Sequence, residues 1–260
     1  MARRGRARHG SAWHGKDQGK KVSKQKPKTP LQKGQRERQM KQYRITLEGL
    51  TPLLMHNDNL NFSEKVMAWR RDPQNKEHSV SGDDRTPPWT WIGYLYHDGK
   101  NIGISSDNIM TMLREGGAKV LTGKGKETYK KQSQSGIMLD QQQFDLFCNN
   151  QKIGIEKVKD LIGNLEFNDH IELAESLDFE LLVKRAKIGR SKHIRVRPMF
   201  RQWVATGTLT VLDEELTGLT EQILTTILKQ AGSLCGLCDW RPSSPSSGTF
   251  GKFAPEVERI

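Results

Sequence analysis

The chain has no apolar run near the roughly 18 residues that span a bilayer, so no membrane segment is expected. Its start lacks the apolar block of a secretory leader, and four glycines by Gly19 oppose the amphipathic helix of a mitochondrial presequence. Cysteine is scarce. Cys148, Cys235 and Cys238 are too few for a disulfide framework and fit a reducing cytoplasm, prokaryotic or that of an infected host. Cys235-x2-Cys238 has zinc-knuckle spacing, but a structural site needs four ligands, so the pair reads as ordinary buried cysteines. No Gly-x4-Gly-Lys-Ser/Thr is present, and no Ser/His/Asp, paired-carboxylate or metal-ligand constellation stands out. The sequence therefore points to a binding protein rather than an enzyme, with no cofactor and no metal.

Acid is scarce in two places. Residues 1–42 hold 14 Lys and Arg against Asp17 and Glu37, which accounts for the whole net charge of +12. The rest of the chain has 28 basic and 28 acidic residues. The amino-terminal segment is also poor in apolar residues, so it cannot offset its ordering entropy and is expected to be a disordered basic tail. Residues 43–260 form the folded body. A cationic arm on a neutral body suits nucleic-acid contact, non-specific and salt-sensitive. The second place is Lys184 to Arg201, which carries Lys184, Arg185, Lys187, Arg190, Lys192, Arg195, Arg197 and Arg201 and no acid. On a neutral body this reads as a phosphate-binding loop. Lys124, Lys126, Lys130 and Lys131 in the Gly- and Gln-rich segment 122–135 make a smaller patch of the same kind. Phe200 and Trp203 flank the first patch as candidates for base stacking or for the core.

Periodicity places strands at Tyr43–Glu48, Trp89–Tyr96, Ile102–Ile104, Leu177–Val183 and Trp203–Leu212. Helices are expected over Ser63–Arg70, Asn108–Glu115 and Thr220–Ala231. Residues 137–175 give no assignable pattern. Strands and helices mix without regular alternation, so the class is α+β. Its commonest compact form is an antiparallel sheet with helices on one face, the RNA-recognition-motif (ferredoxin-like) arrangement, here with inserted loops. After the last helix comes a glycine-rich segment, Gly232 to Gly251, whose backbone N–H groups suit close approach to phosphates. His56 and Asp58 sit in the loop after the first strand. Asn and Asp favour turns there, and His56 is the one candidate general acid or base.

Three passages resemble the RAMP superfamily, and more narrowly the backbone subunit of CRISPR effector complexes. They are Ile45-Thr46-Leu47-Glu48-Gly49-Leu50-Thr51-Pro52-Leu53-Leu54-Met55-His56, Ile104-Ser105-Ser106-Asp107-Asn108-Ile109, and Trp240-Arg241-Pro242 with Gly248-Thr249-Phe250-Gly251. The chain's short length and basic tail fit a stand-alone or virus-borne (phage) relative. The resemblance implies binding along single-stranded RNA or DNA by its backbone, often as a filament of like subunits or in a ribonucleoprotein assembly. It implies that Gly232, Gly236, Arg241 and Gly248 line the backbone path. Two other readings remain open: an endoribonuclease of the same superfamily using His56, and a protein that packages nucleic acid.

Overall fold

The computed structural model describes residues 40–246 and 248–260, so the expected disordered tail lies almost wholly outside the described residues. The first strand, β1 (Lys41–Gly49), is followed by β2 (Leu53–Leu54) and α1 (Leu60–Arg71). Next come β3 (Gly103–Ser105), α2 (Ser106–Gly117), α3 (Lys130–Ser135), β4 (Ile137–Leu139), β5 (Gln143–Cys148) and β6 (Gln151–Lys152). Then follow α4 (Glu156–Lys159), α5 (Phe167–Ser176), β7 (Glu180–Ile188), β8 (Ser191–Phe200) and β9 (Val204–Val211). The chain closes with α6 (Glu214–Thr217), α7 (Glu221–Gln230) and β10 (Phe253–Arg259). No helix among the described residues is long and apolar enough to cross a membrane.

The class is α+β with antiparallel sheets. The larger sheet runs β10-β1-β9-β5-β3, with β4 added beside β9 and β6 beside β5. β1 alternates as its sequence requires: Tyr43, Ile45 and Leu47 are buried, while Gln42, Arg44 and Glu48 are exposed. The buried face meets α2 and α7, which pack on each other through Ile109, Met112 and Leu113 and through Leu224, Ile227 and Leu228. Both helices have the expected polar starts. Ser105 caps α2 by accepting from Asn108 N–H, and Thr220 caps α7 by accepting from Ile223 N–H.

The opposite face of this sheet is open and acidic. Glu48, Asp145, Glu256 and Glu258 stand on it with Arg44 and a row of threonines, Thr206 and Thr208 among them. Arg44 is held by Glu258 at 2.7 Å.

The smaller sheet, β2-β8-β7, is mostly one long hairpin. Here the structure corrects the sequence reading. The 184–201 stretch is not a loop: Lys184–Ile188 and Ser191–Phe200 are the paired arms of a ribbon turning at Gly189-Arg190. Near the turn both faces carry cations, so no apolar alternation marks the strands.

Trp89–Tyr94 is a 3₁₀ segment entered from Pro87-Pro88, not a strand; Trp89, Trp91 and Ile92 are all buried, so its alternation did not mark two faces. The 122–135 segment is not all loop, since Lys130–Ser135 is helical. β1 starts at Lys41, two residues before the expected edge of the body.

Candidate nucleic-acid interface

Pleating sorts the hairpin's cations onto two faces. In the observed register Lys184 faces Arg195, Leu182 faces Arg197 and Ala186 faces His193 on one side. On the other side Arg185 pairs with Ile194 and Lys187 with Lys192.

The first face is fixed by acids brought from far along the chain. Residues 82–84 run beside β8, with Ile194 N–H bonding Gly82 C=O and Asp84 N–H bonding Ile194 C=O at 2.8 and 3.0 Å. This buries the Asp84 carboxylate, only 2% exposed, against the ribbon. One oxygen accepts from Arg195 Nη1 at 2.8 Å. The other accepts from Arg197 Nη1, Tyr94 OH and Val196 N–H at 3.1, 3.2 and 3.3 Å. The Arg197 guanidinium, 9% exposed, also lies over the Tyr94 ring at 4.1 Å and 3.6 Å from Asp239. Losing one partner of such a buried pair costs about 3–5 kcal/mol, because a charge is stranded. Arg197 is therefore a structural anchor, and Arg195 shares its carboxylate. Arg201 is taken by Glu180 in a bidentate, exposed pair.

Arg185, Lys187, Arg190 and Lys192 remain. All four are exposed and have no side-chain partner among the described residues. Lys184 is exposed too, with its ammonium 4.6 Å from the centre of the Trp240 ring. An exposed cation–π contact of this kind is worth about 0.5–1 kcal/mol.

Between the inner face of the ribbon and the 238–241 segment lies a cleft of about 200 Å3. Its lining includes His56, Lys184, Ala186, Arg195, Asp239 and Trp240. Sequence reasoning missed the roles of Asp84, Asp239 and Trp240. The available signal was the basic run itself: so many cations on a neutral body need acids, and Asp83 and Asp84 are both buried.

The glycine-rich segment does a different job from the one expected. Its donors are spent within the chain: Gly236 N–H bonds Ala231 C=O, Gly248 N–H bonds Arg241 C=O, and Gly251 N–H bonds Pro52 C=O. Gly232 and Gly236 are buried. A Cβ at Gly232 would meet the Phe253 carbonyl at 2.1 Å, and one at Gly248 the Trp240 carbonyl at 1.9 Å. These glycines let the chain pack on itself. Arg241 is likewise committed, to Glu115 at 3.1 Å, to the Cys238 carbonyl and to Ser243.

What the loop does present is Trp240. Its φ is +45°, and that of Cys238 is +60°. Left-handed backbone is costly for such residues and persists only where the surroundings impose it. Here the Asp239 N–H donates to Leu54 C=O, and Phe250 N–H to Trp240 C=O. The indole is half-buried, with the Phe250 ring centred 6.3 Å away. Phe200 and Trp203, by contrast, are 0% and 3% exposed and belong to the core.

His56 follows β2 and faces Arg197 and Asp239. Arginine only donates, so Nε2 accepts from Arg197 Nη2 at 3.3 Å and the ring proton sits on Nδ1, 3.6 Å from Asp239. Burial and the Arg197 charge hold its pKa below the usual histidine value, despite Asp239. A neutral imidazole whose basic nitrogen is already occupied is poorly placed to take a proton from a substrate. Asp58 lines a separate, larger cleft of about 610 Å3 with Asp98, Asp107 and Arg241. Those carboxylates make it a poor phosphate site.

Lys124 and Lys126 lie exposed in a tight turn closed by Thr122 and Glu127, and Lys130 and Lys131 open α3. None of the four lines the cleft under the hairpin. Cys148, Cys235 and Cys238 are buried free thiols, and burial pushes Cys148 and Cys238 up to about 12. No group of three His, Cys, Asp or Glu among the described residues is arranged to hold a metal ion.

Neither a scan against protein-family models nor a search of curated proteins returned a match for this chain.

Proposed function

We propose that this protein binds single-stranded nucleic acid, RNA in preference to DNA, by its phosphate backbone, along the β7–β8 hairpin. The observation that carries the reading is the set of cations without a partner among the described residues, Arg185, Lys187, Arg190 and Lys192, on a ribbon whose Arg195 and Arg197 are tied to Asp84. Tying Arg195 and Arg197 to Asp84 stiffens the base, so the free cations are held out on a fixed support. Phosphate attraction alone does not select single strands. The half-exposed Trp240 beside Lys184 supplies the selection, because unpaired bases stack on such rings and duplex bases do not.

The fold supports a RAMP-like relationship. β1, α2, β5, β9, α7 and β10 follow one another as βαββαβ, with β1 and β9 central between β10 and β5. With the intervening elements set aside, that order supports reading the large sheet as a ferredoxin-like, RNA-recognition-motif unit. The smaller sheet and the α1, α3, α4 and α5 segments are then its insertions. The usual RNA-binding surface of that motif is its open sheet face, where aromatics stack on bases. Here that face is acidic, with Phe147 at its corner, which directs the strand to the hairpin instead. The basic tail adds non-specific affinity, and assembly into a filament of like subunits belongs to the same reading.

The test is a salt titration of binding by the full chain to single-stranded RNA, single-stranded DNA and duplex. Wild type is compared with a variant carrying Gln at 185, 187, 190 and 192. Each single-strand phosphate contact contributes about 0.7 to the slope of log affinity against log salt. The variant is expected to lose up to about 3 from that slope. An unchanged slope, with binding that depends on the tail alone, would sink the proposal and favour the packaging reading.

A further inference from the structure

The cleft under the hairpin holds an arrangement that backbone binding alone does not require. Trp240 is held in a left-handed conformation, and Gly248 is needed to let its carbonyl through. The ring is braced by Phe250 and half open to solvent. In the free protein the Lys184 ammonium covers it, and both groups line the same cleft. Asp239, His56 and Arg195 also line the cleft.

From this geometry we infer that the Trp240 cleft is a site for one unstacked nucleobase, and that Lys184 is a latch which the base displaces. The inference rests on the single-strand reading above and adds to it a specific base platform. A base stacked on indole is worth more than the exposed ammonium contact it replaces. The displaced ammonium keeps a partner, because the phosphate of the same nucleotide comes with the base. The volume suits one planar ring system, so one base is taken per protein. The ring supplies shape and not hydrogen bonds, so the site tolerates any base. The strained backbone at 238–240 serves to hold the indole ready before the strand arrives.

The test uses the full chain and two RNA probes of equal length: a normal 12-mer and an abasic ribose-phosphate strand. Wild type is expected to bind the normal strand about 5- to 100-fold more tightly than the abasic one. W240L is expected to bind both alike, at the wild-type affinity for the abasic strand. That retained affinity also reports that the variant is folded. Should W240L fail to fold, the wild-type comparison of the two strands decides the matter. Lys184→Met is expected to take about 0.7 from the salt slope of the normal strand and to leave the abasic strand, which does not displace the latch, nearly unchanged. Equal wild-type affinity for the two strands, or a W240L variant that keeps the full preference, overturns the base site while leaving backbone binding intact. Failure of wild type to bind either strand overturns the single-strand reading and this inference with it.

Discussion

The open face of the large sheet and the β7–β8 ribbon are both solvent-facing β surfaces, yet they treat charge in opposite ways. On the sheet, Arg44 is paired with Glu258 and Lys152 with Asp145, and Glu48 and Glu256 leave the face acidic. On the ribbon, acids meet the cations at the base, where Asp84 and Asp239 hold Arg195 and Arg197 and Glu180 holds Arg201. Beyond that point Arg185, Lys187, Arg190 and Lys192 have no acid partner among the described residues. A net-neutral body thus carries a phosphate-repelling face and a phosphate-attracting arm. The count of charges says nothing of this; only their pairing does.

The largest expected effect lies at the junction that makes the ribbon rigid. Asp84→Ala strands the buried Arg197 charge and is expected to cost about 3–5 kcal/mol in denaturant unfolding. A loss below 1 kcal/mol would mean the base of the ribbon is not locked as described. Next comes the arm: the Gln variant at 185, 187, 190 and 192 should bind a single-stranded 12-mer about 100-fold more weakly at low salt. Its unfolding free energy should hardly change, since these side chains have no hydrogen-bond or ion-pair partner among the described residues.

A smaller effect concerns pH. Burial lowers the pKa of His56, His97 and His170 in the folded protein, with Arg197 adding to it at His56 and Lys159 at His97. Between the lowered folded values and the usual value near 6.5, the unfolded chain binds more protons. Stability is therefore expected to fall as pH drops through about 6.5 and to level off below the folded values. His56→Gln should show a shallower decline, read from unfolding curves at several pH values. A decline as steep as wild type would remove His56 from the account. The smallest effect belongs to the sheet face. Gln at 48, 256 and 258 should change strand affinity by less than about 2-fold, since a distant exposed charge is screened beyond about 10 Å at 0.1 M salt.

Much of the large sheet was legible because burial on one face forces alternation. Tyr43, Ile45 and Leu47 could be read directly, as could the apolar face of α7. The ribbon was not, for the converse reason: near its turn both faces are wet, so Lys184, Arg185, Lys187 and Lys192 leave no period of two. Trp89 to Tyr94 misled in the other direction, because burial on all sides lets any residue order pass for a strand. The basic stretch was visible as a candidate site, but not which of its charges were free. That depends on Asp84, more than 100 residues away, and on a loop whose backbone pairs with β8. The glycine-rich segment drew attention for the right place and the wrong reason: its glycines bring the chain onto itself, and the side chain they present is Trp240.

The central claim is that the strand lies on the ribbon. It is tested most directly by photocrosslinking full-length protein to a 4-thiouridine-containing single-stranded RNA and mapping the linked peptides. Crosslinks are expected within residues 184–192 and at Trp240. Crosslinks confined to the β1, β9 and β10 face, or to residues 1–39 alone, would contradict it.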